Sequence, residues 1–426
     1  MTIQTRAPLG RNYAKLWLSS AVSNLGDGIG VVAWPWVASL LTRDPLAIAL
    51  VAVGMRLPWA LFSLPAGVIT DRVDRRLLVL SMDFARVSIL GVLALFVWLS
   101  LPLPDPSAGF PVTPLYYAVL CAAVAVGSAE VLRDNAAQTL MPAIVPKQRL
   151  EDANSRLWSV EILTNTLIGP PLAGLIIAIS IPLAFGLNGL GFLVAALLVA
   201  SISGRFSPKI VVKRSWTAEL REGMTFLWRN RTLRDLALGL GAINALHQMM
   251  LISLVLFAQE ILGLNAAGYG LVLAAGAVGG LMGGVFAARF IAWLGAAFGL
   301  RMTLAVLALQ IGLIAGAGPV WIVAVGMVLG EFTAMIWNTI TVSLRQRHIP
   351  DVLLGRVNSA YRFFGWGVMP IGILAGGVIV RTTEPWLGRD LALRAPFVVG
   401  CALAVILAVV MWRRVSPRRL DQTDWT

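Results

Sequence analysis

The chain alternates from end to end between long apolar runs and short polar turns. Twelve runs stand out, at roughly 13–41, 46–70, 77–101, 114–141, 152–179, 182–204, 234–262, 268–292, 298–317, 319–344, 357–380 and 391–413. Each reaches the about 20 residues that a helix needs to cross a hydrocarbon core of about 30 Å. The pattern predicts an all-α membrane protein with twelve transmembrane helices. Hardly any chain is left over for a soluble enzymatic or receptor domain. The one long polar connection, 204–234, divides the spans six and six, giving bundles over 1–204 and 234–426 with a linker over 205–233. Within the linker, Trp216, Leu220, Met224 and Leu227 recur at helical spacing, with Glu219, Arg221 and Glu222 between them. That spacing predicts a short amphipathic helix on the membrane surface, tying the two halves together.

Composition agrees. Of 426 residues, 58% are hydrophobic and 13% charged, and mean hydropathy is +0.81. Soluble domains carry about 25% charged residues. A net charge of +13 would suggest nucleic acid on a soluble protein. Here the basic residues fall on one side of the twelve spans. Arg6, Arg11 and Lys15 precede the first, and Lys147 and Arg149 follow the fourth. Arg205, Lys209, Lys213, Arg214, Arg221, Arg229 and Arg231 sit in the long connection. Arg345 and Arg347 follow the tenth span, and Arg413, Arg414, Arg418 and Arg419 follow the twelfth. The opposite loops hold Arg43 and, in the last of them, Arg381, Arg389 and Arg394. This asymmetry places both termini and the long connection in the cytoplasm. The positive charge then serves topology and contact with anionic lipid, not nucleic acid. Cys121 and Cys401 both lie in apolar spans and imply no disulfide framework. The first run is too long for a signal-peptide core.

A faint repeat links the halves. Val145-Pro146 precedes Asn154-Ser155 after the fourth span, and Ile349-Pro350 precedes Asn358-Ser359 after the tenth, at a constant offset of 204 residues. Pro171-Leu172-Ala173-Gly174 in span five answers Ile373-Leu374-Ala375-Gly376 in span eleven, with a two-residue slip.

The most informative polar segment is Gly67-Val68-Ile69-Thr70-Asp71-Arg72-Val73-Asp74-Arg75-Arg76, between spans two and three. Its spacing, G-x-x-x-D-R-x-x-R-R, resembles the loop joining the second and third helices of the major facilitator superfamily. D-R-x-D-R-R looks like the branch of macrolide and enterobactin exporters. Span five holds Gly169-Pro170-Pro171-Leu172-Ala173-Gly174, which resembles the superfamily's antiporter motif with Ala173 in place of one glycine. The resemblance implies two pseudo-symmetric six-helix bundles rocking about a mid-membrane site. It implies that Asp71 latches the halves against the turn near Asn358, and that Arg72, Arg75 and Arg76 pair with acids on the fourth span. Asp74 stands where the family has glycine, as a residue that tolerates turn backbone. A purely topological anchor is the simpler reading of the loop. Gly169, Pro170 and Gly174 would form a tight, kinked seam, or merely a packing kink. In the second half, Gly284–Arg289 keeps the glycine and one arginine but has Ala288 where the acid would be.

Ionisable residues inside spans are costly and mark function by default. Asp27 lies about 21 Å along its helix from Tyr13, near mid-membrane, and Arg56 lies at similar depth. Either Asp27 carries a proton or cationic substrate, or Asp27 and Arg56 form a structural pair. Glu130, Arg133 and Asp134 share one face of span four and read mainly as a relay beneath the charged loop. Glu161, His247, Glu331 and Arg362 are further candidates; histidine as a residue type titrates near neutral pH, and Glu331 is the most isolated acid of the second half. No Walker A loop, H-E-x-x-H, C-x-x-C or dinucleotide turn is present, so no cofactor, metal or enzymatic activity is expected. The resulting expectation is a monomeric proton antiporter of the plasma membrane, in bacteria the inner membrane. It would export a small hydrophobic drug, antibiotic or siderophore-like molecule. Proton-coupled uptake of a metabolite, and a non-transporting scaffold or sensor, are the alternatives.

Overall fold

The computed structural model describes residues 9–70, 72–204, 206 and 216–420, without the side chains of 63, 64, 68, 147, 216–220, 351, 352, 418 and 419. Asp71, the expected latch, lies outside the described residues. The first half contains α1 (Arg11–Leu41), α2 (Pro45–Thr70), α3 (Arg75–Leu99), α4 (Pro114–Ile144), α5 (Leu150–Glu161), α6 (Gly169–Ile179) and α7 (Ile181–Ala200). The linker forms α8 (Trp216–Arg229). The second half contains α9 (Arg231–Glu260), α10 (Ala266–Leu294), α11 (Ala296–Ala315), α12 (Val320–His348), α13 (Asp351–Gly367), α14 (Met369–Leu387) and α15 (Arg389–Arg414), and α16 (Pro417–Leu420) follows.

Among the described residues, eleven helical stretches are long and apolar enough to cross a membrane. The polar-rich α1, 31 residues long, is the twelfth by its packing beside α7 and α6. Caps written into the sequence start several helices. Asp44 accepts from the amides of Leu46 and Ala47 at 2.9 and 3.1 Å, and Asp74 from those of Arg76 and Leu77 at 3.0 and 3.2 Å. Asn230 and Asn265 do the same for α9 and α10.

Span five is not one smooth helix. Pro170 and Pro171 supply no N–H and their rings crowd the carbonyls a turn earlier. The helix widens into a π segment, Ile162–Ile168, and the Gly169 amide reaches back to the Thr164 carbonyl. Span eleven likewise breaks between α13 and α14. The linker helix does more than lie on a surface: Leu227 is fully buried, and a Cβ on Gly223 would stand 2.5 Å from the Arg356 carbonyl oxygen of α13.

The two halves repeat their packing. In the first, α2 lies on α4 and α3 on α7; in the second, α10 lies on α12 and α11 on α15. Each half uses a glycine to bring two backbones together. A Cβ on Gly127 would stand 2.6 Å from the Met55 oxygen, and one on Gly279 would stand 2.1 Å from the Val328 oxygen.

The halves are closed at one end and spread at the other. Asn12 and Ser203, Asp74 and Phe206, and Arg301 and Val415 meet on the face that carries the linker. On the far face α6 packs on α10, and α14 on α2. There a Cβ on Gly174 would meet the Ala266 oxygen at 2.3 Å, and one on Gly377 the Pro45 oxygen at 2.8 Å. Backbone lies on backbone at both contacts. Along α2 the contrast is plain: Ala47 is fully buried, whereas Leu61, nearer the linker face, is 57% exposed.

Candidate functional site

Between the halves lies a cavity of about 820 Å³, the open solvent at its mouth included. Asp27, Arg56, Glu130 and Asn165 line it from the first half. The second half contributes Gln248, Leu251, Val255, Tyr269 and Leu273. One wall is ionic and the other is neutral and mostly apolar.

Asp27 reaches this wall because its neighbours are small. It sits in Gly26-Asp27-Gly28-Ile29-Gly30. A Cβ on Gly28 would stand 2.3 Å from the Asn165 oxygen, so the π segment of span five can press against α1. Such π segments recur at functional sites. The Asp27 side chain keeps 13% of its surface exposed.

Asp27 does not pair with Arg56. Its partner is Arg86 on α3, whose Nη1 lies 3.2 Å from Asp27 Oδ1. Arg86 also donates through Nη2 to Asp83 Oδ1 and to Ser23 Oγ, the latter at 3.1 Å. Its guanidinium lies 3.7 Å above the Phe192 ring. Arg133 continues the chain, with Nε 3.5 Å from Asp83 Oδ1 and Nη1 3.2 Å from Asp134 Oδ1. Both side chains of the Arg86–Asp83 pair are completely buried. Asp83 and Arg86 escaped the sequence reading, although both stand inside the third apolar run, where an ionisable residue is itself a signal.

The face of Glu130, Arg133 and Asp134 splits in two. Arg133 and Asp134 join the network on α3, while Glu130 faces the cavity and accepts from Trp59 Nε1 at 3.3 Å. Trp59 meets Trp366 of the second half edge to face, with ring centres 5.8 Å apart. Glu161 ends α5 and is exposed. In the second half, His247 and Glu331 come together, Nε2 to Oε1 at 3.5 Å. Arg362 lies 5.5 Å over the Trp366 ring.

The arginines of the charged loop find carbonyls, not the acids expected on span four. Arg75 donates to the Thr139 oxygen at 3.4 Å. Arg76 donates to the Val199 oxygen at 3.2 Å and to the Ala200 oxygen, both at the C-terminus of α7. For Arg76 the reason is local: the last turn of a helix exposes unpaired carbonyls that attract cations. Arg72 is exposed. Asp74 has φ −64°, so no left-handed backbone is required of it; it caps α3 and also accepts from the Phe206 amide at 3.0 Å. Gly67 has open space where a Cβ would go. Gly169 packs on Gly28, and a Cβ on Gly270 of α10 would stand 2.3 Å from the Pro170 oxygen, so span five is in backbone contact with both halves.

Residues 3–424 match the transmembrane secretion effector family of major facilitator proteins. The multidrug efflux pump Tap of Mycolicibacterium fortuitum is 25% identical over 96% of this chain and 97% of its own. Among solved structures, a point mutant of the nucleoside transporter NupG superposes with a TM-score of 0.74 at 12% identity, over 95% of this chain and 100% of its own. A bacterial homologue of the iron transporter ferroportin, 18% identical, gives 0.71 in its inward-facing state, over 94% of this chain and 100% of its own. Its outward-facing state gives 0.59, over 95% and 100%. These likenesses establish the fold.

Proposed function

The chain belongs to the transmembrane secretion effector family of major facilitator transporters, and from that premise we propose that it exports a small, hydrophobic molecule by proton antiport. The observation that carries the reading is the charge balance of the first-half interior. Three arginines (Arg56, Arg86, Arg133) face four carboxylates (Asp27, Asp83, Glu130, Asp134) on the cavity wall and just behind it. Uncompensated charge is costly in a low-dielectric interior. A proton or a cationic group on the substrate can supply the missing positive charge, and competition between the two is what exchange requires. Asp27 is the central carrier, since it borders both the cavity and the buried arginine. The apolar opposite wall receives the body of the substrate. Efflux by the relative Tap supports the outward direction.

The cycle is alternating access. The far face is closed here, and the cavity is approached from the linker face. On the positive-inside argument the linker face is cytoplasmic, in a bacterial inner membrane, and the protein works as a monomer surrounded by lipid. Asp71 acts as a latch in the opposite state, and Gly169, Pro170 and Gly174 hold the far seam tight. The test is efflux in inverted vesicles with an imposed proton gradient, across a panel of dyes and antibiotics. Accumulation that collapses with the gradient supports the reading. Accumulation driven only by the opposite gradient would replace it with uptake. For sidedness, cysteines introduced at Arg221 and Arg413 should resist impermeant maleimide added to intact cells; efficient labelling at either would overturn the topology.

A further inference from the structure

Arg43, Arg381 and Arg389 break the positive-inside pattern, and the structure gathers all three into one cluster on the far face. Arg43 and Asp44 belong to the turn between α1 and α2. Around them lie Gln259 and Glu260 at the end of α9, Arg381 and Glu384 on α14, and Arg389 at the start of α15. We propose that this cluster is the far-side gate of the transport cycle: it holds the halves together in the form seen here and comes apart when the far face opens.

The contacts across the halves carry the argument. Arg43 Nη1 donates to Gln259 Oε1 at 2.5 Å and stands 3.8 Å from Glu260 Oε1. Gln259 Nε2 donates to Ser39 Oγ at 2.6 Å, and Arg389 Nη2 to the Arg43 carbonyl oxygen at 2.9 Å. Arg381 Nη1 lies 3.6 Å from Asp44 Oδ2. Inside the second half, Arg389 grips Glu260 with two bonds of 2.8 and 2.9 Å and also holds Glu384 at 2.9 Å. That part is a preformed receptor.

The charges are arranged to separate cleanly. The first half contributes one cation and one anion, Arg43 and Asp44. The second contributes two of each, Arg381 and Arg389 with Glu260 and Glu384. Each side is neutral alone, so parting them leaves no net charge on either face. Only short-range contacts are lost, and water can replace them, because Arg43 and Arg381 keep 34% and 47% of their side-chain surface exposed. Partly exposed pairs of this kind are weak singly, which suits a gate that must open on every turnover. A permanent staple would be buried. Arg394 takes no part in the gate: it donates to the Ala315 and Ala317 carbonyls and fastens the end of α11 within its own half.

The inference rests on the alternating-access part of the proposed function and on neither its substrate nor its coupling ion. Spin labels on cysteines at Val112 and Trp386, both more than 80% exposed on the far face, report the opening in nanodiscs, with Cys121 and Cys401 replaced. Arg43→Gln should raise the long-distance population about five- to tenfold, and Arg43→Gln with Arg381→Gln should raise it further. Arg394→Gln removes contacts inside the second half and should leave the distribution unchanged. All variants are compared as monodisperse protein. An unchanged distribution in the double variant, or an equal shift in Arg394→Gln, overturns the gate. The vesicle assay separately decides whether the protein transports at all.

Discussion

The two halves share a backbone plan and differ in what they bury. In the first, spans three and four carry the ionic chain Arg86, Asp83, Arg133 and Asp134, joined to Asp27 of span one. In the second, the buried polar side chains near the middle of spans nine and ten, Thr303, Gln310 and Thr333, are neutral. Thr303 donates to the Thr333 oxygen at 3.0 Å, and Gln310 faces Met327 at 3.7 Å. The second half's ions near the bundle centre are the pair His247 and Glu331, both partly exposed. Arg345, nearer the linker face, is buried against the Tyr361 ring at 3.9 Å. Duplicated backbones therefore do not imply duplicated chemistry. Packing requires small residues in the same places in both halves, but ion handling requires only one set of ions. The neutral half is free to serve as an apolar surface for cargo.

The comparison is broken most severely at Arg86. Arg86→Met removes the cation shared by Asp27 and Asp83 and strands buried carboxylates, so unfolding should be easier by about 3–5 kcal/mol, the usual result of breaking a buried pair. Gln310→Met in the second half should cost much less, about 1 kcal/mol, because a neutral hydrogen bond is lost with its volume kept. Thermal melting of the two detergent-solubilised variants checks this; equal losses would deny that the halves differ in kind.

Asp27→Asn keeps the shape of the wall and removes its charge. Proton-driven accumulation should fall roughly ten- to a hundredfold, the scale of coupling between two sites, while binding changes less. Proton release on adding substrate to the purified variant is the decisive reading. If release persists, Asp27 is not the carrier. Glu331→Gln, on the neutral side, should lower transport by only about two- to fivefold, the lower end of such couplings. A loss as large as that of Asp27→Asn would move the coupling chemistry into the second half.

The charged loop is asymmetric too, since Ala288 stands where a second latch would have its acid. Asp71→Asn should slow transport about fivefold at unchanged expression. Wild-type rates in that variant would leave the loop as a topological anchor only.

The twelve apolar runs and the linker helix could be read directly from residue order, because each depends on interactions within a few residues. Partners could not. Arg56 and Arg86 both stand in apolar runs, and nothing in their spacing from Asp27 chooses between them. The packing of α3 against α7, with Phe192 under the guanidinium, decides it. The same holds for Arg76 of the charged loop, drawn to the carbonyl end of α7 by a contact across more than a hundred residues. The π segment of span five follows from two adjacent prolines, but its place against Gly28 does not. The far-face arginines looked like exceptions to a rule about charge and topology, and became a cluster only when α2, α9, α14 and α15 met. Sequence fixes what each helix can bury and where it ends. Which charge answers which is settled between helices, by packing that brings remote residues within hydrogen-bond reach.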